Sequence, residues 1–361
     1  MAKNIVLCLD GTSNQVSSPL TNVTRLFRVL QRDTKQLTYY DAAVGTLLDP
    51  YSLSPYRKKL RLLFDMATGI SIRDNFCEAY SFLVHNYEEG DRIFIFGFSR
   101  GAFTARAVAG ALHLFGLLRP EHDNLIPYIW QSYSDDSPAR SRQSTIALFR
   151  SANRFKGHFG RKTPEIQFMG LWDTVAAFGL ITRFRTLPYT RANPSVRAVR
   201  HAASIDEHRS CFGLNAFQHD VQNQDFRELW FAGVHSDVGG GFKEEESGLA
   251  KITLNWMVGE AELFDLKIDH AHLKKVLRQP SPDPLAIAHD SFDFMWRLAE
   301  FFPVRTWDHD SLKYRWRWPN LFRSRCIPAG ALVHDSVARR IEARNDYRPK
   351  NLPKNHVIVE R

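Results

Sequence analysis

Short apolar runs that stop at turn-forming residues alternate along this chain with stretches whose apolar positions recur every three or four residues. Five runs read as buried strands. They are residues 5–9, halted by Asp10-Gly11-Thr12; the weaker 37–40, leading into Asp41; 92–96, closed by Gly97; 166–171, ending at Trp172-Asp173-Thr174; and 228–234, ending at His235-Ser236-Asp237. Runs this short and apolar throughout fit strands covered on both faces. Residues 22–30 place Val23, Leu26, Phe27 and Leu30 on one helical face, and residues 72–87 do the same with Phe76, Ala79, Tyr80, Leu83 and Val84. Residues 102–114 are small and apolar on nearly every side, which predicts a helix packed deep against a sheet, and 247–258 is a further amphipathic helix. Strands alternating with helices imply βαβ units and a parallel sheet, hence an α/β fold. The more polar, Arg- and Ser-rich stretch within 118–162 reads as a cap or insertion, giving a catalytic domain over 1–265. The Pro-punctuated, Trp-rich remainder, 266–361, is expected to form a helical or irregular lobe on that core.

The strand over 92–96 runs directly into Gly97-Phe98-Ser99-Arg100-Gly101, and a helix runs out of it. A GxSxG motif set between strand and helix predicts a nucleophile elbow, in which the serine sits on a strained turn with its hydroxyl above the sheet. The flanking glycines let strand and helix backbones approach closely, and the helix N-terminus presents N–H groups to a developing oxyanion. Arg100 N–H is one candidate donor; the backbone of Gly11 or Thr12, at the end of the first strand, is the other. A serine hydroxyl needs a base, and functional residues in open parallel sheets gather at the carboxyl ends of strands. The next two predicted strands end in Asp173 and His235, in the chain order nucleophile, acid, histidine that this fold uses. Ser99, Asp173 and His235 are therefore the expected catalytic triad. Asp237 is an alternative acid or a structural cap, and His334 and His289 are alternative bases. Leu9-Asp10-Gly11-Thr12 also echoes the loop of aspartyl-phosphate phosphatases, but Cys8 stands where their nucleophilic carboxylate belongs, which argues against that chemistry.

Composition narrows the partners. Lys and Arg outnumber Asp and Glu by 48 to 39, a formal charge of +9, which favours anionic surfaces. The four cysteines are widely spaced without metal-ligand spacing, and acyl transfer by a serine, a histidine and an aspartate requires no metal or organic cofactor. No signal-peptide pattern opens the chain and no apolar stretch approaches 18 residues. The expectation is a protein without a transmembrane segment, cytoplasmic or exported without a classical signal. Trp296, Trp307, Trp316 and Trp318 with Arg305, Arg315 and Arg317 fit either an interfacial patch or a packing lobe.

Taken in order, Leu9-Asp10-Gly11-Thr12, Tyr39-Tyr40-Asp41, Gly45-Thr46, the Gly97–Gly101 elbow with Ala102-Phe103-Thr104-Ala105-Arg106, Trp172-Asp173-Thr174-Val175 and residues 234–241 form a specific set. The set resembles the α/β-hydrolase domain family of type VI secretion phospholipase (lipase) effector-like proteins, over roughly residues 4–260, with weaker echoes at 200–209 and 333–337. Two positions depart from that pattern: Ser13, where the family usually carries Trp, and Ala42-Ala43, where it favours glycine. The resemblance implies the same Ser99–Asp173–His235 triad, no cofactor, and cleavage of lipid or phospholipid esters with peripheral membrane contact; nucleic acid is not an expected partner. Two alternatives stay open: an esterase for small soluble esters, and a non-catalytic binding module on a hydrolase scaffold.

Overall fold

A computed structural model describes residues 2–11, 19–42, 70–134, 142–175, 187–217, 221–290, 300, 304–308, 313–318 and 323–360. Its centre is an eight-stranded sheet. The strands are β1 (Asn4–Leu9), β2 (Gln36–Asp41), β3 (Arg92–Phe98), β4 (Ile166–Trp172), β5 (Ala198–Ser204), β6 (Asp225–Phe231), β7 (Leu332–His334) and β8 (Val357–Val359). They lie in the order β8-β7-β6-β5-β4-β3-β1-β2, and every pairing is parallel. This is an α/β-hydrolase-like fold. The order reverses at β1, which lies between β2 and β3, and such switch points open a crevice at the strand carboxyl ends.

Alternation along β1 explains the layers. Ile5, Leu7 and Leu9 join Ile93 and Ile95 in one cluster with Phe76 and Tyr80 of α2 (Ile70–Asn86) and Ala105 and Val108 of α3 (Arg100–Phe115). Val6 and Cys8 point the other way, into a second cluster with Val23 and Leu26 of α1 (Asn22–Val29) and Leu254 and Val258 of a helix over Gly248–Glu262. Helices thus cover both faces, as period-2 burial in the strands requires. Side-chain capping starts α1: Thr21 Oγ1 accepts the Thr24 N–H at 3.1 Å.

The stretch read as a cap or insertion holds α4 (Ile126–Ser134) and α5 (Arg142–Phe159), pinched at its base by a two-residue antiparallel pair, Leu117–Leu118 with Gly160–Arg161. It joins the α2/α3 layer through the rings of Phe76, Trp130, Tyr133, Phe115 and Phe155. The chain after residue 266 is not wholly a helical lobe. It has short helices, among them Asp335–Ala343, but it also adds β7 and β8 to the central sheet and forms a hairpin of Val304–Asp308 with Lys313–Arg317.

Strand β5 was not among the expected strands, and it lies between β4 and β6. Its two large polar residues, Arg200 and His201, are fully buried because each is paired. Arg200 meets Glu260 and Asp225, and His201 Nδ1 lies 2.8 Å from Glu228. Among the described residues no helix is long and apolar enough to cross a membrane.

Candidate active site

The turn from β3 into α3 has the conformation that its glycines require. Ser99 sits at φ 58°, ψ −121°, a left-handed value that is costly for a side-chain-bearing residue. Strand and helix nearly touch: a Cβ on Gly97 would lie 2.6 Å from the Gly101 carbonyl oxygen, and one on Gly101 would collide with the Leu9 carbonyl. Ser99 is half-buried and opens the helix, whose next residue, Arg100, is buried.

Asp173 directly follows β4 and His235 lies just beyond β6, opening α6 (His235–Gly239). The structure brings these residues to Ser99 in one line. His235 Nε2 is 2.9 Å from Ser99 Oγ, and His235 Nδ1 is 2.6 Å from Asp173 Oδ2. The strands that deliver Asp173 and His235 are not neighbours. β5 stands between them, and its last residue takes part, since the Ser204 N–H donates to Asp173 Oδ1 at 2.8 Å. Phe98 and Phe212 pack on His235, with ring centroids at 4.6 and 5.0 Å.

Sequence reasoning missed the residue that faces Asp173 from the other side. Arg325 donates from Nη1 to Asp173 Oδ1 at 2.5 Å and from Nη2 to Asp173 Oδ2 at 2.9 Å. It also missed Glu207, buried beside His235, whose Oε2 accepts the His235 backbone N–H at 3.2 Å and whose own partner is Arg209 at 2.7 Å. The Asp206-Glu207-His208-Arg209 motif was the one signal for the second pair. Nothing in the sequence pointed to Arg325.

Burial opposes the Asp173 charge, but the Arg325 guanidinium and the His235 hydrogen bond outweigh it and hold the carboxyl far below the usual carboxylate range. For His235 burial dominates and lowers its proton affinity below that of an ordinary imidazole, with Asp173 pulling the other way. Both shifts favour an ionised Asp173 beside a neutral His235 imidazole.

The other expected residues have different places. The Gly11 N–H, an expected oxyanion donor, donates instead to Asp10 Oδ1 at 2.7 Å; Thr12 lies outside the described residues. Asp10 Oδ2 accepts from Thr21, Thr24 and Tyr40 hydroxyls at 2.6, 2.9 and 2.9 Å, which ties the β1 loop to α1 and β2. Asp237 accepts the Val234 N–H at 3.0 Å, capping α6, and pairs with His289 at 2.6 Å. His334 accepts the Ser336 N–H at 3.2 Å, as the N-cap of the helix over Asp335–Ala343. Neither Asp237 nor His334 reaches the Ser99–His235 line. Among the described residues no group of three or more His, Cys, Asp or Glu side chains is arranged to hold a metal ion.

The parallel sheet and the strand–turn–helix at Ser99 are those of an α/β-hydrolase-like domain. The chain belongs to the family described as T6SS, phospholipase effector Tle1-like, catalytic domain, whose sequence model matches residues 3–260. It is 37% identical over 221 residues to "Uncharacterized protein YEL023C" of Saccharomyces cerevisiae (strain ATCC 204508 / S288c), covering 58% of this chain and 32% of that protein. Among solved structures it is similar to an uncharacterized protein from Pseudomonas aeruginosa, at 22% identity and TM-score 0.43, over 78% of this chain and 49% of that one. A Tle1 effector, solved bound to the VgrG spike of the type 6 secretion system, aligns at 20% identity and TM-score 0.37 over 69% of this chain and 52% of that one. The chain spans about a third of the yeast relative's length and about half of each structural neighbour's.

Proposed function

We propose that this chain is a serine hydrolase that cleaves carboxylic esters through an acyl-enzyme, with lipid or phospholipid esters as substrates. The observation that carries the reading is the continuous line Ser99 Oγ, His235 Nε2, His235 Nδ1, Asp173 Oδ2 at 2.9 and 2.6 Å. With the Nδ1 proton facing Asp173, Nε2 is left to take the Ser99 hydroxyl proton as Oγ attacks the ester carbonyl carbon. The tetrahedral oxyanion forms beside the start of α3, where the Arg100 N–H is the proposed donor. Collapse breaks the ester C–O bond, and the proton on Nε2 goes to the departing alcohol. Water then attacks the acyl-enzyme, giving its proton to His235, and the acid leaves as Ser99 recovers its hydrogen. Asp173 stays ionised throughout and keeps the imidazole oriented.

Family membership supports a lipid substrate, and a hairpin that approaches the site agrees with it. The hairpin strand Val304–Asp308 packs beside residues 210–212, where Phe212 touches His235. Its partner strand carries Trp316, and Trp318 follows the strand's end; they are 51% and 69% exposed. Exposed indoles in an Arg-rich segment suit a headgroup boundary. Of the other residues considered for that patch, Trp296 lies outside the described residues.

A fluorophosphonate probe tests the chemistry. Labelling of wild type and not of Ser99→Ala is the expected result, and no labelling of wild type would favour the non-catalytic module. Phosphatidylcholine and phosphatidylglycerol vesicles compared with a short p-nitrophenyl ester test the substrate. Release of fatty acid from vesicles is expected, while turnover of the soluble ester alone would leave a small-ester esterase.

A further inference from the structure

Asp173 is saturated. Its two oxygens accept from the Ser204 N–H, His235 Nδ1 and both terminal nitrogens of Arg325, at 2.8, 2.6, 2.5 and 2.9 Å. A carboxylate offers about four lone-pair sites, so none is left over. The two-pronged guanidinium contact also fixes the plane of the carboxylate, which a point-charge cation cannot do. Arg325 is itself held: its nitrogens donate to Ser204 Oγ at 2.7 Å and to the Phe212 carbonyl at 2.6 Å, and Asn351 Nδ2 donates to its carbonyl at 3.2 Å. Its side chain is 6% exposed.

The proposed mechanism uses only one edge of Asp173, the one facing His235. A buried cation on the opposite edge is not needed to orient the imidazole and works against its protonation. Around His235 the charges come as two neutral pairs, Asp173 with Arg325 and Glu207 with Arg209. Beneath them lie the His201–Glu228 pair and Arg106, which donates to Thr174 Oγ1 at 3.1 Å. The imidazole therefore sees a carboxylate that is half-shielded rather than bare.

We propose that Arg325 is a positioning residue of this site, which holds the Asp173 carboxylate against rotation and shields part of its charge from His235. It acts through Asp173 and touches neither Ser99 nor the reacting ester. Arg325 lies beyond residue 260, where the family match ends, and 152 residues from Asp173. The segment that follows the matched domain thus completes the hydrogen bonding of the site.

The inference rests on the serine-hydrolase reading, so the test uses the full chain and reads both. Fluorophosphonate labelling rates and p-nitrophenyl butyrate kinetics are measured against pH for wild type, Arg325→Met and Arg325→Lys. Arg325→Met is expected to lower kcat by about 10- to 100-fold with KM within about twofold. Loss of the nearby positive charge makes His235 more basic, so the acid limb of kcat/KM moves up by about one pH unit. Arg325→Lys restores charge but not the fork. Its acid limb returns towards that of wild type while kcat stays several-fold low, about the difference between a point charge and a bidentate contact. A folded Arg325→Met with wild-type kcat, or with reduced kcat and an unmoved acid limb, overturns the inference while leaving the hydrolase reading intact. Absence of labelling in wild type takes both down. If Arg325→Met does not fold, Ser204→Ala decides. It removes one hydrogen bond to the guanidinium and is expected to lower kcat by about two- to fivefold with a smaller upward shift of the acid limb; a wild-type profile overturns the inference.

Discussion

His235 and His289 each set Nδ1 against a buried aspartate at 2.6 Å; His235, which opens α6, faces Asp173, and His289 faces Asp237 within that same helix. What differs is the other nitrogen. Nε2 of His235 faces the hydroxyl of Ser99 on a strained turn, whereas Nε2 of His289 lies 3.4 Å from the Glu246 carboxylate. Surroundings differ in the same sense. His235 is buried between Phe98 and Phe212, and burial lowers its proton affinity; for His289 the Asp237 hydrogen bond leads and raises it, with Phe242 stacked on the ring at 3.6 Å. A third pair, His201 with Glu228, is buried, and His201 Nε2 accepts the Thr174 N–H at 3.1 Å, which steadies the loop that carries Asp173. A histidine on a carboxylate is therefore a repeated structural unit among the described residues, and the three differ in the group that meets the far nitrogen.

The largest effect separates the first two pairs directly. His235→Ala is expected to lower kcat by about 10³-fold or more, and His289→Ala to leave kcat within about threefold while lowering the Tm. Similar losses of kcat in the two variants would break the distinction. Next in size is the pH–rate profile. Because the proton affinity of His235 is depressed, the acid limb of kcat/KM should fall below the ordinary imidazole value of 6.5, and activity should persist into mildly acid solution. A limb above that value would contradict the burial argument. The smallest effect is on stability. The folded-state proton affinity of His289 is raised, so its contribution is fully present below about 6.5 and is lost as pH rises through the folded value. Thermal melts should show the advantage of wild type over His289→Gln shrinking as pH rises above about 6.5; an advantage that grows in that direction would mean His289 is not the charged partner of Asp237.

The elbow was legible because its letters and its context agree: an apolar strand, two glycines where backbones meet, and a helix of small residues. Asp173 and His235 were legible because apolar runs end at them. β5 was not, since Arg200 and His201 interrupt its hydropathy, and only their partners Glu260, Asp225 and Glu228, distant in the chain, make burial tolerable. The reading of Asp173 and His235 as ends of neighbouring strands failed for that reason. β7 and β8 are three residues each, too short for periodicity to register. Arg325 was invisible for a different cause. An arginine in a polar stretch looks like solvated charge, and only the folded chain reveals the carboxylate that it clamps.

The absence of a side chain at Gly101 has a mechanical consequence. The Leu9 and Asp10 carbonyls occupy the volume that its Cβ would need, so the first strand acts as a stop under the serine turn. How far Ser99 stands out from the sheet is then set by residues some ninety positions earlier, and a shifted backbone at 9–11 would tilt Ser99 without altering His235 or Asp173 themselves.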